Sequence, residues 1–192
     1  MAGVTGDTFI IQGTGGRRVI DGSIRVNGSK NDAVQAIAAT LLFRDGLTLT
    51  NLPDIDDVNK MLTLIRQLGV QVERDQRQVT IIAPKQLSIR RGELDNELAQ
   101  KIRASILLTG PLLARYGSVG FPHPGGCVIG ERPIDLFLEG FKAMGAVASK
   151  DDQGYKLTAP QGLAGTEIFF RNVSVTATET FIEEPPVSSC TS

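Results

Sequence analysis

The stretch Pro124-Gly125-Gly126-Cys127-Val128-Ile129-Gly130-Glu131-Arg132-Pro133-Ile134-Asp135 places a cysteine among glycines, with an arginine five residues on. Glycine lets a backbone approach a ligand closely. A thiol beside a guanidinium loses its proton more readily and becomes reactive. The arginine can fork onto a phosphate or carboxylate. Cys127 and Arg132 together therefore point to a working thiol beside an anionic substrate. An isolated Gly-Gly-Cys is equally met by a buried cysteine in a tight turn. A second stretch, Ser29-Lys30-Asn31, opens an apolar run. Ser29 suits a helix N-cap, and Lys30 and Asn31 would then sit where backbone N–H groups and the helix dipole favour an anion. The competing reading of Lys30 is a solvated surface lysine.

These residues need elements to hold them. Thr8-Phe9-Ile10-Ile11-Gln12 and Ser23-Ile24-Arg25-Val26 read as short strands. Ala33, Val34, Ala36, Ile37, Ala38, Leu41 and Leu42 predict a helix apolar nearly all round, hence buried. Gly46 closes that region, and Leu47-Thr48-Leu49-Thr50 reads as a strand. Asp56 and Asp57 suit the first turn of a second helix as capping residues, with Met61, Leu62, Ile65 and Leu68 as its stripe and Gly69 as its C′ residue. Val70-Gln71-Val72-Glu73 and Gln78-Val79-Thr80-Ile81-Ile82 predict a hairpin closed by Pro84.

The pattern then restarts. Arg103-Ala104-Ser105 opens an apolar helix that Pro111 interrupts or kinks. Ser118-Val119-Gly120-Phe121 reads as a strand, and Asp135 begins a helix that Gly145 ends. Ala146-Val147-Ala148 and Tyr155-Lys156-Leu157-Thr158 form a hairpin closed by Pro160. Gly145 follows Gly69 at the interval at which Pro160 follows Pro84, so each unit reads helix, strand, helix, hairpin. A third unit begins at Ile168-Phe169-Phe170-Arg171-Asn172-Val173-Ser174-Val175-Thr176, and Glu183-Glu184-Pro185-Pro186 stops it.

Composition narrows the class. A net charge of −1 points away from nucleic acid and membrane surfaces, and 41% hydrophobic residues suffice for a core. Cys127 and Cys190 are distant and lack metal spacing, so a disulfide framework is not expected and a cytoplasmic location fits. Residues 1–9 do not read as a secretory leader, and no apolar run is long enough to span a membrane.

The cysteine loop, through Leu136, resembles the signature of the UDP-N-acetylglucosamine 1-carboxyvinyltransferase family of enolpyruvyltransferases. Gly28-Ser29-Lys30-Asn31-Asp32-Ala33 resembles that family's first motif. Arg103-Ala104-Ser105-Ile106 with Gly110-Pro111-Leu112-Leu113-Ala114-Arg115 resembles its second, and Val173-Ser174-Val175-Thr176-Ala177-Thr178 its third. The motifs occur in family order and cover the chain to about Thr180. Thr176 stands where a glycine is common and Phe137 where a histidine is usual.

The resemblance implies an α/β fold: an inside-out α/β barrel of repeated units, present here as one domain with an incomplete third repeat. Residues 23–180 would form that domain, 1–22 would belong to the second domain of full-length members, and 181–192 would be a polar tail outside the family. It implies transfer of the enolpyruvyl group of phosphoenolpyruvate to the 3-hydroxyl of UDP-N-acetylglucosamine, with release of phosphate, a step of peptidoglycan precursor synthesis. Cys127 would be the general acid. Lys30, Arg103 and Arg132 would hold anionic groups, and Asn31 would bind substrate beside Lys30. Arg132, Pro133, Ile134, Asp135 and Leu136, with Asn172, Val173, Ser174 and Val175, would hold the UDP moiety. No metal or organic cofactor is implied. The missing second domain predicts inactivity alone, with self-association or pairing with that domain. Alternative readings are a non-catalytic UDP-sugar-binding remnant and enolpyruvyl transfer to shikimate 3-phosphate, against which Cys127 stands. His123 is chemically able to pair with a cysteine, yet the resemblance asks nothing of it. Cys190 reads as an exposed thiol without a role.

Overall fold

The computed structural model describes residues 10, 12–13, 15–16, 21–87, 94, 96–122 and 134–182. Its elements run α1 (Lys30–Ala39), β1 (Leu47–Leu49), α2 (Asp56–Gln67), β2 (Gln71–Asp75), β3 (Gln78–Ile82), α3 (Asn96–Lys101), α4 (Thr109–Tyr116), β4 (Ser118–Pro122), α5 (Asp135–Ala143), β5 (Val147–Lys150), β6 (Gly154–Thr158) and α6 (Val175–Ile182). Short 3₁₀ segments follow α1 (Thr40–Leu42) and precede α4 (Arg103–Leu108).

Two three-stranded antiparallel sheets share one order. β3 lies between β1 and β2, and β6 between β4 and β5. The central residues correspond: Ile81 faces Leu47 and Val72, while Leu157 faces Val119 and Ala148. Ile81 and Leu157 are both wholly buried.

The helices that precede the outer strands end alike. After α2, Gly69 turns to φ 91°. Its N–H reaches Arg66 O at 2.9 Å, and the Val70 N–H reaches Ile65 O at 3.2 Å. After α5, Gly145 turns to φ 96°. The same two bonds run from Gly145 to Lys142 O (3.0 Å) and from Ala146 to Phe141 O (2.9 Å). Both are Schellman endings, whose left-handed residue glycine adopts without a Cβ clash.

One core joins the units. Ile37 from α1 and Leu41 from the 3₁₀ turn after it, Met61 and Ile65 from α2, Leu108, Leu112 and Leu113 around α4, and Phe141 from α5 are all essentially inaccessible. Each such side chain contributes about 1.5–3 kcal/mol of hydrophobic stabilisation. Arg115 ties the units together with its guanidinium. Nη1 donates to Leu41 O (2.5 Å) and Phe43 O (2.8 Å), and Nη2 to Ala83 O (3.1 Å) and Pro84 O (3.4 Å). The Tyr116 hydroxyl donates to Pro84 O at 2.8 Å. Burial pushes its phenol pKa up, with the neighbouring Arg115 charge pulling weakly the other way, so the donor proton is retained.

Three local expectations change. Ser23-Ile24-Arg25-Val26 forms no strand; Ile24 is 91% exposed and no described strand pairs with it. Its alternation supplies strand propensity, and a strand also needs an edge to join. The segment from Arg103 is 3₁₀ before it becomes helical, and Pro111 lies in the first turn of α4. There a missing N–H costs less than in a helix interior. The chain also forms α3, which no periodic pattern announces. The strand expected at Thr8–Gln12 lies largely outside the described residues, and Ile10 and Gln12 are coil.

Candidate functional site

Three segments far apart in sequence meet at one cleft of about 410 Å³. The first is the start of α1. The Ser29 Oγ accepts the Asp32 N–H at 3.4 Å, and the Ser29 carbonyl accepts the Ala33 N–H at 3.1 Å. Ser29 is thus the N-cap that the sequence predicts, and Lys30 and Asn31 form the first turn. Gly28 seats this start on the loop after β1. A Cβ there would lie 2.1 Å from the Asn51 carbonyl oxygen, so no side chain fits. Asn27 beside it accepts a hydrogen bond from Arg77 at 2.8 Å.

The second segment is the 3₁₀ turn that carries Arg103 and Ala104. Ser105 secures it, its hydroxyl lying 2.9 Å from Ala99 O and 2.8 Å from Ile102 O. The third is the start of α6, where Ser174 Oγ accepts the Ala177 N–H at 3.2 Å and Ser174 O accepts the Thr178 N–H at 3.0 Å. Ser174 therefore opens a helix as expected, and Val175 and Thr176 form its first turn.

Lys30, Asn31, Arg103 and Val175 thus line the same cleft. Two helix N-termini enter its wall, each equivalent to roughly half a positive charge. With two cationic side chains they make an environment suited to an anion. Two carboxylates temper it. Asp57, from the first turn of α2, forms an ion pair with Lys30. Glu179, one turn into α6, accepts a hydrogen bond from the Gln35 amide of α1.

The remaining predicted residues divide. Ile134 is buried beside Arg103 in a smaller cavity of about 50 Å³ shared with Phe121, Pro122 and Phe137. Asp135 opens α5 and pairs with Arg171 at 3.3 Å, the same guanidinium reaching Glu139 at 3.5 Å. Leu136 is half-buried against the core. Asn172 and Val173 are exposed on the approach to α6. Ile134, Asp135, Leu136, Asn172, Val173 and the Ser174 cap are absent from the lining of the larger cleft. Cys127, Arg132, Pro133, His123 and Cys190 lie outside the described residues.

Sequence reasoning missed Gln35, Asp57, Thr176 and Glu179 as cleft residues. Asp57 was expected to cap α2, but the N-cap is Ile55 and no side chain caps that end. The carboxylate is spent on Lys30 instead. Helical spacing could have found the others. Gln35 lies four residues after Asn31, and Glu179 four after Val175, so each shares a face with a residue already singled out. Among the described residues no group of three His, Cys, Asp or Glu could hold a metal, and no helix is long and apolar enough to cross a membrane.

Solved enolpyruvyltransferase structures share this fold. The enolpyruvyl transferase NikO from Streptomyces tendae superposes with a TM-score of 0.62 at 22% identity, over 75% of this chain and 31% of that one. An EPSP synthase from Acinetobacter baumannii superposes with a TM-score of 0.67 at 19% identity, over 85% of this chain and 37% of that one. Residues 15–189 match the family model described as EPSP synthase (3-phosphoshikimate 1-carboxyvinyltransferase), and the chain belongs to this family. Within it, the chain is 42% identical over 176 residues to the UDP-N-acetylglucosamine 1-carboxyvinyltransferase of Saccharophagus degradans. That match covers 92% of this chain and 41% of the relative, so the chain spans about two-fifths of the relative's length.

Proposed function

We propose that the chain supplies the cysteine-bearing part of an enzyme that moves the enolpyruvyl group of phosphoenolpyruvate to the 3-hydroxyl of UDP-N-acetylglucosamine. The observation that carries this reading is the convergence of Lys30, Asn31, Arg103 and Val175 on one cleft with two capped helix N-termini. Both substrates are polyanions, and such a cleft suits them. The identity to a relative of that name favours the nucleotide sugar over shikimate 3-phosphate as acceptor, as does Cys127, which the shikimate enzymes lack.

The residues divide the work. Carbon 3 of phosphoenolpyruvate takes a proton from Cys127, the sugar hydroxyl adds to carbon 2, and the hydroxyl proton leaves to a base. The tetrahedral adduct then gives up a carbon-3 proton and inorganic phosphate, which restores the double bond. Lys30, Arg103 and Arg132 hold the phosphate and carboxylate as charge moves between them. Asn31 orients the acceptor. Pro133, Ile134, Asp135 and Leu136, with Asn172, Val173, Ser174 and Val175, hold the UDP moiety. For Asp135 this requires exchange of its Arg171 partner. The base belongs to the part of the enzyme opposite this cleft. Residues 23–180 are one domain of an inside-out α/β barrel whose third unit is incomplete here, residues 1–22 belong with the second domain, and the protein works in the cytoplasm.

Phosphate release from phosphoenolpyruvate, with UDP-N-acetylglucosamine present, tests the reading. The chain is assayed alone and with the remaining portion of a relative supplied in trans. Release in the reconstituted sample, absent in Cys127→Ser, is expected. Release that survives the substitution, or that shikimate 3-phosphate supports equally, rejects it. Binding of the nucleotide sugar with no release in either sample would mark a UDP-sugar-binding remnant instead.

A further inference from the structure

The wall of the large cleft carries a carboxylate that the reaction proposed above leaves unused. Glu179 sits one turn into α6, half-buried, and accepts a hydrogen bond from Gln35, one turn into α1. The other acidic residue of the wall, Asp57, is engaged by Lys30. Glu179 faces a neutral amide.

We propose that Glu179, aimed by Gln35, selects ligands that present a neutral hydrogen-bond donor about one helical turn from their anionic groups. This rests on the reading of the cleft as a nucleotide-sugar site and names the part of it that distinguishes such a sugar from a bare phosphate. An ionised carboxylate is acceptor-only, with about four lone-pair sites. The Gln35 amide uses one of them. A phosphate oxygen brought to the rest would meet a like charge, whereas a hydroxyl or amide N–H would meet an acceptor.

The spacing fits. The N-terminal turns of α1 and α6 favour the anion, and the Gln35–Glu179 pair crosses between the same helices one turn deeper. One turn is about 5.4 Å along the axis. A diphosphate at the start of α6 would therefore place an attached sugar, with its hydroxyls and acetamide N–H, beside Glu179. Gln35 is a positioning residue here: its amide fixes the carboxylate rotamer and leaves the outer lone pairs to the ligand.

Calorimetric titration of the 192-residue chain with UDP-N-acetylglucosamine, UDP and inorganic phosphate tests this. Glu179→Ala should weaken the nucleotide sugar about tenfold, the size of a charge-assisted hydrogen bond. The same variant should bind UDP and phosphate as well as, or better than, the unsubstituted chain. Glu179→Gln keeps an acceptor oxygen and should lose less. Gln35→Ala should show part of the Glu179→Ala loss with the same selectivity. Equal losses for all three ligands would reduce the pair to a strut between helices and overturn the proposal, as would no loss in either Glu179 variant. If the unsubstituted chain binds none of the three, the nucleotide-sugar reading of the cleft falls, and this inference falls with it.

Discussion

Lys30 stands half-exposed at the start of a helix, with 52% of its side chain accessible and Asp57 as its ion-pair partner. Such a pair contributes at most about 1 kcal/mol to stability. It can therefore be exchanged for a ligand phosphate at little cost to the fold. Lys30→Ala is expected to weaken phosphoenolpyruvate binding about tenfold or more, with the loss shrinking as salt is raised. Asp57→Asn should shift the unfolding free energy by less than about 1 kcal/mol. Titrations with phosphoenolpyruvate at two ionic strengths, beside denaturant unfolding, check both; unchanged phosphoenolpyruvate affinity in Lys30→Ala would remove Lys30 from the site. Lys30 and Arg103 stood out in the sequence because their motifs are local. Asp57 and Glu179 did not, because the meaning of each depends on a partner from another helix. An acidic residue in a first turn looks like a cap until the fold supplies a lysine beside it.

Elements were legible where the chain repeats itself. The two Schellman glycines, the two hairpins and the buried face of α1 follow from patterns that occur locally. The 3₁₀ turn that carries Arg103 was harder to see. An apolar run has the same look in either helix type, and the choice is made by the Ser105 bonds to Ala99 and Ile102. The seat of α6 is also a tertiary matter. Phe181 packs on Phe141 (4.8 Å between ring centroids), Phe170 (5.8 Å) and Phe137 (6.5 Å). It lies over Gly140, where a Cβ would meet the ring at 2.3 Å. Alanine at a helical glycine ordinarily gains about 1 kcal/mol. Here it must displace a ring held by three others, an overpacking cost of about 1–3 kcal/mol. Gly140→Ala should therefore be destabilising by about 1 kcal/mol, lowering Tm by about 2–4 °C, while Lys142→Ala on the exposed face of α5 stays near neutral. A stabilised Gly140→Ala protein would mean that Phe181 shifts freely and that α6 is not anchored through it.

Among the described residues, the two sheets and their helices share one core, while several apolar side chains after Leu163 stay exposed. Phe169, Val173, Val175 and Ile182 are each more than two-thirds exposed. Ile182 also lines an apolar cavity of about 420 Å³ with Met144, Ile168, Phe170 and Phe181. An apolar run from Ile168 is visible in the sequence; which of its residues stay uncovered required the fold. Contiguous exposed apolar surface drives association. The chain on its own is therefore expected to self-associate, with a weight-average sedimentation coefficient that rises with concentration over the micromolar range. Ile182→Ser should lower that rise, since its exposed side chain lines this cavity and not the cleft at the start of α1. The remaining portion of a relative, added in trans, should suppress the rise as it restores turnover, because both effects depend on the same face being covered. A sedimentation coefficient independent of concentration would show that this surface is too divided to associate, and restored turnover without loss of association would place the docking of the second portion elsewhere.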